Sequence, residues 1–542
     1  MAVIKQNISY GENKPQRAFY GQGSLTAMYY RPDAETDPQL VYFYSEGTPG
    51  LTYTKGNSEN FLTIGDNKGF DFSEQGGALV TPAITYEYGD TNTIYKVAKM
   101  ADHAFKGNTT LTSAVVDGNV TNIGDNAFNS CSNLKTITVG NSVKTIANGG
   151  INNCENLESI ILGKNVQEIG TWAFAFNPKL TTIEIPSSVI SLGRNVFEAC
   201  FGLVSIRCSA ELSEVPMGMF HSGSTDTGTM SLESVRFGGI IKKIGERAFY
   251  NCVKLNTLID GNHGNQSMEN IVDLPDIQEI AGDAFYNCSG ITNLHIGKKF
   301  KSADSTSFEG CTGIKTLTIP CALTARGISS EHTLGYISKG TVSKLTITAG
   351  ENYATDVTDL TYTEVKNGFG GAADDLLMGG VMTELVIDFE GYSNDKYNIA
   401  NQAFLGCRNL KKVTLKNVQC MGIGVFQHCG SLETASIDIG SSSKLIGEDT
   451  FEYSGLTTLK LYGNNSIGDK VFRYSSNLTS VYIPETITSI GSEAFAGCSN
   501  LKDIYYSGTR SQWNSMTKGT NWDGYEGIVD RPYALHTDYK YN

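Results

Sequence analysis

Apolar residues return along this chain at a fixed interval. Between Val120 and Cys200, Phe128, Ile151, Phe174 and Phe197 hold one position, each 23 residues after the last. Three residues on stand Cys131, Cys154, Asn177 and Cys200, and three further on Leu134, Leu157, Leu180 and Leu203. Apolar pairs follow, Ile137 with Val139, Ile160 with Leu162, Ile183 with Ile185 and Ile206 with Cys208. Each unit closes with V-x-x-I/L, as in Val143 with Ile146 and Val166 with Ile169. The L-x-x-I-x-V pattern puts three side chains on one face of a short strand and its lead-in, because strand side chains alternate. One such unit cannot bury its own apolar side. Stacked units bury a continuous core between them, so a period in the 20s predicts a solenoid.

The key position continues in a first array from about residue 93 to 320, through Phe105, Phe220, Phe249, Phe285 and Phe308. Two steps are longer, 29 and 36 residues, and the extra segments 221–230 and 259–276 are rich in Gly, Ser, Asn and Asp. They are expected as surface loops on the binding side. Over 321–398 the A-F-x-x-C element lapses, while LTIT (345–348) and LVID (385–388) still read as repeat strands. DDLLMGGVM between them reads as a short helical turn. Two or three degenerate units are expected there, with a small inserted domain as the rival. A second array, 399–506, carries Phe404, Phe426, Phe451, Phe472 and Phe495. Segment 507–542 is expected to cap it, with Trp513 and Trp522 plugging the last rung and the closing residues adding a strand. Residues 1–92 break the rhythm and are rich in Tyr and Gly. They read as a β-rich N-terminal module, either the cap that a solenoid end requires or an anchor, through which the chain could form a homo-oligomer.

The unit L-x-x-I-x-I-(P)-x-x-V-x-x-I-G-x-x-A-F-x-x-C resembles the leucine-rich repeat of the BspA type, found in bacterial surface proteins and some protist ones. The A-F-x-x-C element and the period occur together many times, which makes the match specific. The resemblance implies an α/β repeat solenoid, a leucine-rich repeat array with parallel strands on the concave face. It implies binding or adhesion and no reaction. Ser142 and Ser188 stand where leucine-rich repeats often have Asn after the strand, so no buried Asn ladder is expected.

Composition narrows the partners. The net charge is −14, and without a basic run such a surface repels nucleic-acid backbones. No run of 18 apolar residues is present, so no membrane span is expected. The opening MAVIKQNISYGENKPQRAFYGQGSL has no apolar core of a secretory leader. Set against the surface life of the family, this points to a leader already removed or to release by lysis within a phage particle. The location expected is extracellular, on a cell surface or in a virion. Of twelve cysteines, nine share one repeat column: Cys131, Cys154, Cys200, Cys252, Cys288, Cys311, Cys407, Cys429 and Cys498. Asn108, Asn177, Ser454 and Ser475 replace them elsewhere. A column that accepts Cys, Asn or Ser wants a small, mildly polar residue inside the turn, and unpaired Cys is commonly buried. Free core thiols are therefore expected over disulfides or a metal column. Metal ligation would want C-x-x-C or Cys/His clusters.

No H-E-x-x-H, G-x-S-x-G, phosphate-loop or EF-hand motif is present, so no enzyme and no cofactor are expected. His103 and His428 read as surface or packing residues of the A-F helical turn. Candidate binding residues come from the outward column of the strands: Val115, Thr138, Ile161, Glu184, Arg207, Arg236, Ile259, His295 and Thr318, then Thr414, Ser436, Lys460, Tyr482 and Tyr505. Arg207, Arg236 and His295 read as a basic or polar strip flanked by both insertions. Tyr482 and Tyr505 read as an aromatic ladder whose faces could stack on sugars, and Tyr and Arg are favoured at interface hot spots. With Glu184 and Lys460, these are the candidate site. The expected function is non-enzymatic adhesion to a protein or glycan of a host or neighbouring cell surface. The alternative is a phage fibre or decoration protein that binds a receptor.

Overall fold

The computed structural model describes residues 24–30, 39–45, 48, 51, 53–55, 61–73, 76–81, 84–87, 90–223, 229–263, 268–304, 306–320, 341–349, 359–360, 381–389, 398–399, 401–418, 420–439, 445–463, 466–524 and 533–540. They fall into two compact units, 1–200 and 201–542. Most of DDLLMGGVM, the centre of the first insertion and much of the N-terminal module lie outside the described residues.

In the first unit the apolar pairs of the repeat form a parallel sheet, Ala78–Val80, Ser113–Val116, Thr136–Val139 and Ser159–Ile161. A second ladder joins the V-x-x-I ends: Asn122–Ile123, Thr145–Ile146, Glu168–Ile169 and Ser191–Leu192. The strand Asp90–Met100 belongs to both patterns of the unit. It pairs antiparallel with Ile84–Glu87 and parallel with Asn122–Ile123. Ser24–Tyr30 and Gln39–Ser45 extend its antiparallel side.

Between the two ladders lies the A-F-x-x-C turn, and its geometry departs from the expected helical turn. Residues two before and two after most key Phe residues are left-handed, as at Asn126 (φ 52°) and Ser130 (φ 61°) around Phe128. The alternation aims every second amide along the stack. Asn126, Phe128 and Ser130 donate to the carbonyls of Asn148, Gly150 and Asn152 in the next rung, at 2.9, 2.9 and 3.1 Å. An α-helix would spend those amides on its own carbonyls four residues back. Among the described residues the only α-helix is Arg510–Ser515.

The key aromatics stack along each unit. Phe105 lies 5.3 Å from Phe128, and Phe174 lies 5.6 Å from Phe197. In the second unit Phe249, Phe285 and Phe308 follow at 5.1 Å steps, and Phe404 to Phe495 at 5.1–5.6 Å. Each buried ring contributes about 1.5–3 kcal/mol. The nine column cysteines are buried and unpaired, as expected. Their thiols reach carbonyls of the preceding rung: Cys154 Sγ to Phe128 O and Cys200 Sγ to Phe174 O, both 3.1 Å. Asn177 Nδ2 and Ser475 Oγ donate in the same way to Ile151 O and Phe451 O, at 2.9 and 2.8 Å. The column therefore selects small donors, which explains the exchange of Cys with Asn and Ser. Among the described residues no buried Asn ladder follows the strands. An exposed one starts the turns, where Asp102, Asp125 and Asn148 each accept the amide of Asp125, Asn148 and Thr171 in the next rung, at 2.8, 2.9 and 2.9 Å.

The second unit carries a long parallel sheet from Ser205–Cys208 to Ala534–His536. Lys344–Thr348 and Glu384–Asp388 sit in register between Thr316–Pro320 and Lys412–Val418. The insertion 259–276 is more than a loop. Its Val272–Leu274 forms a sheet strand between Thr257–Ile259 and Asn293–Ile296. The V-D-L triplet repeats the apolar-polar-apolar alternation without an A-F-x-x-C turn behind it. At the far end Thr509 caps Arg510–Ser515 in a capping box with Gln512. Trp513 and Trp522 pack edge-on at 5.9 Å, against Tyr506 and Phe495 respectively.

Candidate functional site

Along the sheet of the second unit, the residue between two buried neighbours of each strand faces out. Parallel pairing in register turns these residues into one column: Arg207 beside Arg236, Arg236 beside Ile259, Asp273 beside His295, then Thr318, Thr346, Val386, Thr414, Ser436, Lys460, Tyr482, Tyr505 and His536. Glu184 lies in the first unit, exposed on Thr182–Ile185.

The column does not contain a single basic strip. Arg207 is exposed, and Arg236 is turned to the insertion, donating from Nη2 to Met268 O at 3.2 Å. Ile259 is 2% exposed, so this position is closed. His295 is separated from the arginines by Ile259 and Asp273 and pairs through Nδ1 with Asp273 Oδ1 at 2.5 Å. The long insertion is the cause: it adds a rung carrying a carboxylate. Sequence reasoning missed Asp273, although V-D-L lies one repeat length before L-H-I and shows the same alternation.

At the other end the ladder is longer than the two tyrosines. Tyr482 and Tyr505 stack at 4.7 Å and 9° between planes. His536 stacks on the far face of Tyr505 at 4.6 Å, and Lys460 Nζ stands 5.6 Å from the centroid of Tyr482. Tyr539 leans on both tyrosines, at 5.4 and 5.0 Å. Asp503 Oδ1 pairs with His536 Nε2 at 2.8 Å. Partial desolvation, then the Asp503 carboxylate, pushes the Tyr505 phenol above its usual value. His536 and Tyr539 escaped sequence reasoning because the tail joins the sheet outside the 23-residue rhythm.

This stacking alters what the ladder can do. A sugar needs an open ring face, and the Tyr482 and Tyr505 faces are taken by Lys460, each other and His536. What remains outward are ring edges, hydroxyls and charged tips, which suit directed hydrogen bonds and edge contacts.

The turn side of the second unit carries another cluster. His428, Tyr453 and Tyr474 stack at 5.1 and 4.9 Å, and Arg473 bridges the buried Glu452 and the partly exposed Glu493 at 2.5 and 3.1 Å. His428 is thus a packing residue on the surface. Among the described residues no group of His, Cys, Asp or Glu is arranged to hold a metal, and no helix is long and apolar enough to cross a membrane.

Comparison with known proteins gives the same picture of the repeat. The profile of the BspA type leucine rich repeat region matches residues 98–226, 227–332, 260–360 and 392–515, in six copies. A leucine-rich repeat protein from Bacteroides ovatus is 20% identical over 90% of this chain and 98% of its own, with a TM-score of 0.35. A leucine rich cell surface protein from Faecalibacterium prausnitzii is also 20% identical over 90% and 98%, with a TM-score of 0.32. The pneumococcal vaccine antigen PcpA is 13% identical over 92% and 97%, with a TM-score of 0.33. A search of curated protein sequences returns no match.

Proposed function

The chain belongs to the BspA type leucine-rich repeat family, and from that membership we propose that it is a non-enzymatic binding protein acting at a cell surface. Its partner is a surface protein held on the sheet face of the second unit. The observation that carries this reading is the in-register column Lys460, Tyr482, Tyr505 and His536 with Tyr539 against it. Stacked tyrosines lose little side-chain freedom when a partner docks, and a rigid aromatic anchor is what interface hot spots use. Closed ring faces favour a polypeptide over a stacked sugar at this place. A sheet face also suits a macromolecule better than a small ligand, which prefers a concave pocket.

The test uses the fluorescently labelled full chain on epithelial and bacterial cells. Trypsin treatment of the cells should abolish capture and periodate oxidation of their glycans should leave it. Tyr505→Ala should weaken capture at least about 30-fold, the equivalent of a 2 kcal/mol hot spot. Capture that survives trypsin and falls with periodate contradicts a protein partner, and capture unaffected by Tyr505→Ala moves the site off this face.

A further inference from the structure

Two exposed aromatic residues of the first unit behave unlike the ladders. Trp172 and Phe176 are 47% and 40% exposed. Among the described residues no other aromatic ring packs against either. Both stand in the left-handed region, at φ 54° and 59°, where a bulky side chain is an outlier. They flank the buried Phe174 on a single rung. The equivalent positions on adjacent rungs hold Asn126, Gly149 and Asn195 on the Trp172 side, and Ser130, Asn153 and Ala199 on the Phe176 side. Other rungs place His428, Tyr453 and Tyr474 at the Phe176 position, left-handed at φ 61°, 54° and 59°, but those rings stack on one another. Exposed rings that no neighbouring ring covers keep their faces open to a ligand, and that is what sets Trp172 and Phe176 apart.

The surroundings indicate the ligand. Trp172 Nε1 donates to Glu198 Oε2 at 2.9 Å, and Asn195 Nδ2 donates to the same oxygen at 2.6 Å, which orients the indole. On the preceding rungs Asn153 Nδ2 donates to Ser130 Oγ at 2.9 Å and Asn129 Nδ2 to Asn152 Oδ1 at 2.6 Å. The rings thus sit among amides and hydroxyls, with the Glu198 carboxylate buried and the exposed Arg194 adjacent, its carbonyl accepting the Trp172 amide at 3.0 Å. We propose that Trp172 and Phe176 form a stacking platform for the pyranose rings of a neutral oligosaccharide. Sugar C–H groups carry slight positive charge and meet the negative face of an aromatic ring, while the neighbouring amides match ring hydroxyls. A nucleobase would also stack, but its phosphates would meet a chain of net charge −14. An anionic glycan meets the same repulsion. The platform lies on the turn side of the first unit and does not depend on the sheet face of the second.

Fluorescence gives a direct readout. Of three tryptophans, Trp513 and Trp522 are 6% and 8% exposed, so Trp172 dominates quenching by acrylamide. The full chain is titrated with cellohexaose, mannohexaose, maltohexaose and chitohexaose, and affinity is measured in parallel by calorimetry. At least one hexasaccharide should shield Trp172 from acrylamide. Phe176→Asn should weaken that sugar roughly tenfold, the value of one stacking contact, with Tm unchanged or raised because Asn suits the left-handed position. Trp172→Asn should abolish the binding, and Trp172→Phe should restore it by calorimetry. The proposal fails if no hexasaccharide shields Trp172, or if the Asn variants bind the same sugar with unchanged affinity. It fails equally if these variants lose capture of a protein while no saccharide binds.

Discussion

The thiol of Cys154 donates to the carbonyl oxygen of Phe128, 3.1 Å away on the preceding rung. The contact recurs along the column, with Asn or Ser as the donor where Cys is missing. A carbonyl buried without a partner costs about 1–3 kcal/mol. Cys154→Val should therefore lower the unfolding free energy by about that amount, and Cys154→Ser by less than about 1 kcal/mol. Urea unfolding of the two variants decides it. Equal losses would show that the column packs by volume alone.

The same burial sets a dependence on pH. Burial pushes the Cys200, Cys311 and Cys498 thiols up to about 12 from an ordinary 9.0. Between these values the unfolded chain releases thiol protons that the folded chain keeps. The stabilisation is complete below pH 9 and is lost as pH rises towards 12. Thermal unfolding should fall steeply over that window, and native thiols should resist iodoacetamide at pH 8. Rapid alkylation of the folded chain would contradict this.

Phe174 is fully buried and stacked on Phe197. Phe174→Ala should cost about 3–5 kcal/mol, as large core truncations do. The first unit should show this as a lower thermal midpoint.

The repeat made the core legible in the sequence, because Phe174, Cys200 and Leu180 must recur wherever rungs stack. The turn was less legible. A-F-x-x-C has the spacing of a helical turn, yet Asn126 and Ser130 become left-handed so that amides serve the next rung. That choice is made between rungs, and a single rung does not display it. The same holds for Asp273 and His536, which enter the sheet from segments outside the period and whose partners are set by register. Tyr482 and Tyr505 were visible as neighbours, but the closing of their faces by Lys460 and His536 was not.

Arg236 and Arg207 neighbour each other in register but have different surroundings. Arg236 holds the insertion through Met268 O. Arg236→Ala should speed amide exchange over residues 270–274, and Arg207→Ala should leave it unchanged. If neither substitution alters exchange there, the insertion is held by its strand alone.

The proposed protein partner docks on the aromatic end of the second unit's sheet. The most direct measurement is the affinity of the intact chain for trypsin-sensitive sites on cells, comparing a Tyr482→Ser with Tyr505→Ser double variant against Arg207→Glu. The tyrosine pair should lose at least about 30-fold in affinity, with an unchanged thermal midpoint and near-normal capture by Arg207→Glu. Full capture by the tyrosine variant, or a loss confined to Arg207→Glu, would contradict it.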